Sequence, residues 1–161
     1  MPILYPSIDD PELERYIASL GRLMLGYGRA IYATIELVKR TKLRTEKAAA
    51  ALVNNNSQNL PDDVRNLFRG RLKKDEFQAL SFGLDRMKFI AKKRNQLIHG
   101  QWWFYNGQLQ TRNVRRSDIK HDASYSVELL NEWASDLDKI ADDFDQHEYT
   151  LGKRRRRRGR Q

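Results

Sequence analysis

Three histidines and no cysteine leave this 161-residue chain few side chains for chemistry. His121 and His147 stand in a polar segment and at the acidic end of a helix-prone stretch. His99 stands in KKRNQLIHGQW, five residues after Arg94 and four after Asn95. A histidine changes charge around neutral pH and can pass a proton in either direction. An arginine nearby can hold a phosphate and the negative charge that builds when a phosphodiester is attacked. The spacing alone is weak, because Arg116 and His121 repeat it in RSDIKH. What sets Arg94 and His99 apart is their surroundings: Asn95 follows the arginine, the segment reads as helix, Gly100 stands where that helix ends, and an aromatic run comes next. At about 100° per residue, Asn95 and His99 share a helix face while Arg94 is turned about 140° from His99. The structural alternative is that Arg94 caps carbonyls or pairs with an acid, Glu36 being a candidate partner, and that His99 simply suits the negative end of a helix dipole.

Other chemistries find little support. No glycine-rich phosphate loop, HExxH motif or GxSxG elbow occurs. Asp142, Asp143 and Asp145 read as a solvated helix face, and scattered histidines without cysteine make a poor metal site. Neither a metal nor a cofactor is expected.

Hydrophobic residues make up 40% of the chain and aromatics 10%, enough to exclude a fully disordered body. No apolar run nears the roughly 20 residues a membrane span needs, and MPILYPSIDDPE has no basic segment ahead of an apolar one. The expectation is a soluble, cytoplasmic protein with no membrane partner. Its net charge of +9 is unevenly placed: 0 over residues 1–64, +10 over 65–120, −8 over 121–152 and +7 over KRRRRRGRQ. Residues 1–150 are expected to form one domain and 151–161 a disordered tail, since an arginine run repels itself and buries nothing. Arg154, Arg155 and Arg156 would attract polyanions such as RNA, although a purely solubilising end, a nuclear-import signal or an anionic-lipid anchor would have the same composition.

The elements that must position the motif are mostly helical. Asp9, Asp10, Pro11 and Glu12 read as a helix start, with Leu13, Ile17, Leu20, Met24, Tyr27, Ile31, Ile35 and Val38 as the apolar stripe of a helix over about 9–40. Gly21, Gly26 and Gly28 inside it point to close packing of another helix. KLRTEKAAAALV and a segment opening at Pro61 are short helices, the latter with Val64, Leu67 and Phe68 on one side. Asp75 and Glu76 open the helix carrying Leu80, Leu84, Met87, Ile90 and Leu97 to Gly100, read as its left-handed terminal residue. Asn106-Gly107 between alternating residues signals a hairpin. A last helix over about 124–148 turns Val127, Leu130, Trp133, Leu137, Ile140 and Phe144 inward. The fold class expected is all-α: an up-and-down helical bundle with a small β-hairpin before the last helix.

Two further groups bear on binding. Of Trp102, Trp103, Phe104 and Tyr105, alternate residues face opposite sides of a strand. Outward ones beside Arg112, Arg115 and Arg116 would suit stacking on unpaired bases, but core or dimer contact is the commoner use. Arg65, Arg69, Arg71, Lys73, Lys74, Lys88, Lys92 and Lys93 form a candidate phosphate track leading to Arg94, against an ordinary solvated face or a match to the acidic last helix.

RNQLIHG at 94–100, set in this helical layout, resembles the Arg-polar-x3-His motif of HEPN domains. The resemblance implies a helical homodimer and, in many members, a metal-independent endoribonuclease acting as a toxin or in antiviral defence, with an antitoxin or other regulatory protein as partner. It implies catalytic roles for Arg94, Asn95 and His99, with two copies of the motif meeting in one cleft. Some members keep the fold without nuclease activity, so a non-catalytic RNA- or protein-binding module, or an antitoxin-like scaffold contacting partners through its acidic helix, remains the alternative.

Overall fold

The computed structural model describes residues 11–54, 59–105, 108–113, 123–149 and 151–152. Most of these are helical: α1 (Pro11–Arg40), α2 (Glu46–Asn54), α3 (Leu60–Phe68), α4 (Lys74–His99) and α5 (Val127–Gln146). Between α4 and α5 lie β1 (Gly100–Tyr105), β2 (Gln108–Asn113) and β3 (Ala123–Tyr125), an antiparallel sheet in the order β1-β2-β3. No helix among the described residues is long and apolar enough to cross a membrane.

The expected hairpin is β1–β2, with Tyr105 opposite Gln108 and so a two-residue connection. Asn106 and Gly107 themselves lie outside the described residues, as do the capping acids Asp9 and Asp10. The hairpin is nevertheless an incomplete description, because β3 extends it to three strands through Leu109 opposite Tyr125 and Thr111 opposite Ala123. Three residues are too few for period-two alternation to show in a sequence.

The apolar stripe of α1 also needs correction. The buried positions are Leu13, Tyr16, Ser19, Leu23, Gly26, Tyr27, Ala30, Ala33, Thr34, Leu37 and Val38, mostly one step ahead of those expected. Ile17 is 50% exposed, Leu25 78% and Tyr32 63%. The helix carries apolar residues around much of its circumference, so periodicity alone leaves its rotation open. The deciding positions hold Ala30, Ala33 and Thr34, small side chains that let neighbouring elements come close. The Thr34 hydroxyl is satisfied by the Ala30 carbonyl at 2.6 Å and lies 3.7 Å from Met87 Sδ. The helix ends without glycine: Lys42 takes φ 53° and donates to the Lys39 carbonyl at 2.9 Å, a left-handed turn normally left to glycine or asparagine.

Contacts divide the chain into two compact units. One comprises Met1–Arg29 and Phe89–Asp138, the other Ala30–Lys88 and Lys139–Gln161. The first has Leu13, Tyr16, Leu23, Ile90, Leu97, Leu109, Tyr125, Leu130 and Trp133 in its core. Trp133 meets Phe89 and Tyr125 edge-on at 5.9 and 5.8 Å, and the Leu109 amide donates to the buried Tyr16 hydroxyl at 3.3 Å. Burial pushes the Tyr16 and Tyr125 hydroxyls above the usual tyrosine range, since a phenolate there would be poorly solvated. Of the three glycines in α1, only Gly26 is crowded: a Cβ there would stand 3.2 Å from the Ala134 carbonyl and 3.4 Å from Leu137 Cβ.

In the second unit Leu37, Leu60, Val64, Phe68, Leu80, Leu84, Met87 and Phe144 are buried. A Cβ at Gly83 would meet the Phe144 ring at 3.2 Å. The Arg40 guanidinium closes the end of α5, donating to the carbonyls of Phe144 and Asp145 at 2.5 and 2.6 Å. Tyr149 packs on Phe68 at 5.9 Å between ring centres, and burial pushes its hydroxyl up to about 12. The Gly152 amide donates to the Arg71 carbonyl at 2.7 Å, so the chain is still fastened at the second residue assigned to the tail.

Candidate functional site

Arg94, Asn95 and His99 occupy the last two turns of α4, in the first unit. Leu97 and Ile90, on the inward side of this stretch, are fully buried and set the rotation of the helix. Arg94 is half-buried. Its Nη1 donates to Asn95 Oδ1 at 3.0 Å, its Nε points at Met24 Sδ at 3.2 Å, and its guanidinium lies 4.8 Å from the centre of the Tyr27 ring. An amide oxygen, a thioether and an aromatic face hold the group in place, and none carries a charge to neutralise it. Glu36, the acid proposed for Arg94, is instead taken by Lys39 at 2.7 Å. Among the described residues Arg94 has no carboxylate partner. Asn95 thus gives its amide oxygen to the arginine, and no hydrogen bond among the described residues joins it to His99, four residues away on its own face.

His99 is the last residue of α4 and is exposed. Its setting comes from an unexpected cap. Gly100 is not left-handed: it opens β1 opposite Asn113, and the glycine with positive φ among the described residues is Gly70 at 72°. The helix end is closed by Trp102, whose indole N–H donates to the Leu97 carbonyl at 2.5 Å. A strand can therefore begin directly at Gly100, with one helix-terminal carbonyl satisfied by a side chain. Trp102 and Trp103 are both half-buried. The side chains of Phe104 and Tyr105 lie outside those described.

Two members of the basic track, Arg65 and Lys88, meet acids. Lys88 and Arg65 both reach Asp62, Arg65 at 2.9 Å, and Arg65 also reaches Asp85. The Lys88 ammonium, hydrogen-bonded to Asp62, is the main influence holding that carboxyl below its usual range. Lys88 and Arg65 are thus matched within the fold. Lys92 is exposed, and Lys93 is half-buried with its ammonium 5.7 Å from the centre of the Phe89 ring. Those two lead toward Arg94. Arg115, Arg116, Arg154, Arg155 and Arg156 lie outside the described residues, and Arg112 is described only as backbone in β2.

Sequence reasoning missed the seat of Arg94. Met24 and Tyr27 were assigned to the core stripe, and nothing in a linear sequence couples residue 24 to residue 94. Trp102 had a fainter signal, as an indole three residues beyond a helix end. Comparison of the chain with protein-family models, with curated proteins and with solved structures found no match.

Proposed function

We propose that this chain is a metal-independent endoribonuclease of the HEPN kind, working as a homodimer, with Arg94 binding the scissile phosphate, Asn95 positioning Arg94 and His99 exchanging protons. The observation that carries this reading is Arg94: a fixed guanidinium with no acidic partner among the described residues, one and a half helical turns from an exposed histidine. Attack of a ribose 2′-hydroxyl on its own phosphodiester needs one proton removed from that hydroxyl and one delivered to the departing 5′-oxygen. A single histidine serves one of these at a time, so a second copy supplies the other. Support for pairing near the motif comes from the surface of α1 beside Met24. There Ile17 and Leu25 are exposed, and Gly21 and Gly28 have nothing within 4 Å. A toxin or antiviral-defence setting, with RNA as substrate and a regulatory protein partner, follows from the resemblance of RNQLIHG.

A second reading keeps the fold and the RNA contact but omits cleavage. Asn95 is engaged by Arg94, leaving His99 without an orienting partner among the described residues.

Purified protein with labelled RNA and excess chelator decides between them. The nuclease reading expects cleavage that falls at least about 100-fold in His99→Ala, the scale of one lost acid–base group. Equal background in wild type and variant, with RNA still bound, establishes the second reading.

A further inference from the structure

The second unit contains a cavity of about 450 Å³ between the α1–α2 connection, α2, α3 and the residues after α3. Its polar lining is Arg44, Arg71, Asp63 and Asn66. Asp63 and Asn66 are three apart on α3 and share a face, with Leu67 beside them. Neither guanidinium nor the Asp63 carboxylate has an ionic partner among the described residues, in contrast to Asp62 next door, which Lys88 and Arg65 occupy. Leu43, Leu52 and Leu67 supply apolar walls.

Two cations and one anion, unmatched around one opening, call for a ligand that brings the complementary charges and donors. Two arginines suit a phosphate, which accepts several charge-assisted hydrogen bonds. A carboxylate accepts from an amine, and an asparagine amide offers the donor–acceptor pair that matches an adenine edge. Leucine walls suit a flat base, and the volume falls in the range of small-ligand sites.

We infer that this cavity is a nucleotide site for adenylate, with Arg44 and Arg71 on the phosphate and Asp63 and Asn66 on the amino-bearing base. Its lining comes from the second unit alone, and the assignment does not depend on the Arg94 motif.

The test is calorimetric titration of the full chain, carried on the His99→Ala background so that any RNA chemistry is silent. AMP should bind at least about tenfold more tightly than adenosine or inorganic phosphate. Arg44→Ala and Arg71→Ala should each weaken AMP about tenfold, the scale of one lost charge-assisted contact. Inosine monophosphate lacks the exocyclic amine, and Asp63→Asn should abolish the preference for AMP over it. That near-isosteric substitution carries the test if an arginine variant fails to fold. AMP binding no tighter than phosphate, or unchanged in both arginine variants or indifferent to Asp63→Asn, overturns the assignment.

Discussion

Arg94 donates from Nη1 to Oδ1 of Asn95, the next residue in the chain, at 3.0 Å. Successive side chains on a helix diverge by about 100°, so this bond requires the arginine to bend along the helix surface. Its Nε meets Met24 Sδ and its face meets Tyr27 in the same pose. The asparagine is neutral, so it restrains the guanidinium and leaves its charge available.

Replacing Asn95 should expose that distinction. Asn95→Ala should lower cleavage about tenfold through lost positioning, with unfolding by urea barely changed. Asn95→Asp should keep Arg94 in place but neutralise it, weakening RNA binding further. The slope of log affinity against log salt should then fall by about one phosphate contact, which Asn95→Ala should not produce. Identical salt slopes for both variants would contradict a charge held ready for phosphate.

The glycines of α1 should respond oppositely to alanine. Gly28 has nothing within 4 Å in the single chain, so at protein concentrations low enough to keep it monomeric Gly28→Ala should stabilise by about 0.5–1 kcal/mol through reduced unfolded-state freedom and better helix propensity. Gly26→Ala places its methyl 3.2 Å from a backbone carbonyl on α5 that has little room to yield, and should destabilise by about 1–3 kcal/mol. Urea midpoints of the two variants against wild type, at one protein concentration, check the sign.

The Asp62 pairs should give a modest, pH-dependent contribution. Its carboxyl titrates below the ordinary range of about 4 because Lys88 and Arg65 favour the charged form. A depressed folded-state value means that the stability gained is fully present above pH 4 and is lost as pH falls through the folded value. The partners are partly exposed, so Asp62→Asn should cost no more than about 1 kcal/mol at pH 7. The difference from wild type should shrink as pH falls below 4, as followed by urea unfolding at pH 7 and at successively lower pH.

Much of the layout was legible in the residues themselves. Leu80, Leu84, Met87, Ile90 and Leu97 in α4, and Leu130, Trp133, Leu137, Ile140 and Phe144 in α5, repeat at helical spacing, and all are buried. The Asn-Gly pair signalled a two-residue connection, and Tyr105 pairs with Gln108 on either side of it. The motif could be found as a local pattern: three polar side chains at the end of a helix.

Tertiary structure decided what local pattern does not contain. Which face of α1 turned inward depended on small residues whose value lies in what they let approach. The cap on α4 came from an indole on the strand that follows it, an arrangement only the geometry of that junction sets. The state of each cation depended on its neighbours in space: Lys88 is matched to Asp62, Arg40 to the end of α5, and Arg94 to groups that leave its charge unspent. A sequence displays how many charges there are. Only the fold determines which have already been answered, because Coulomb attraction falls with distance in space and not with separation along the chain.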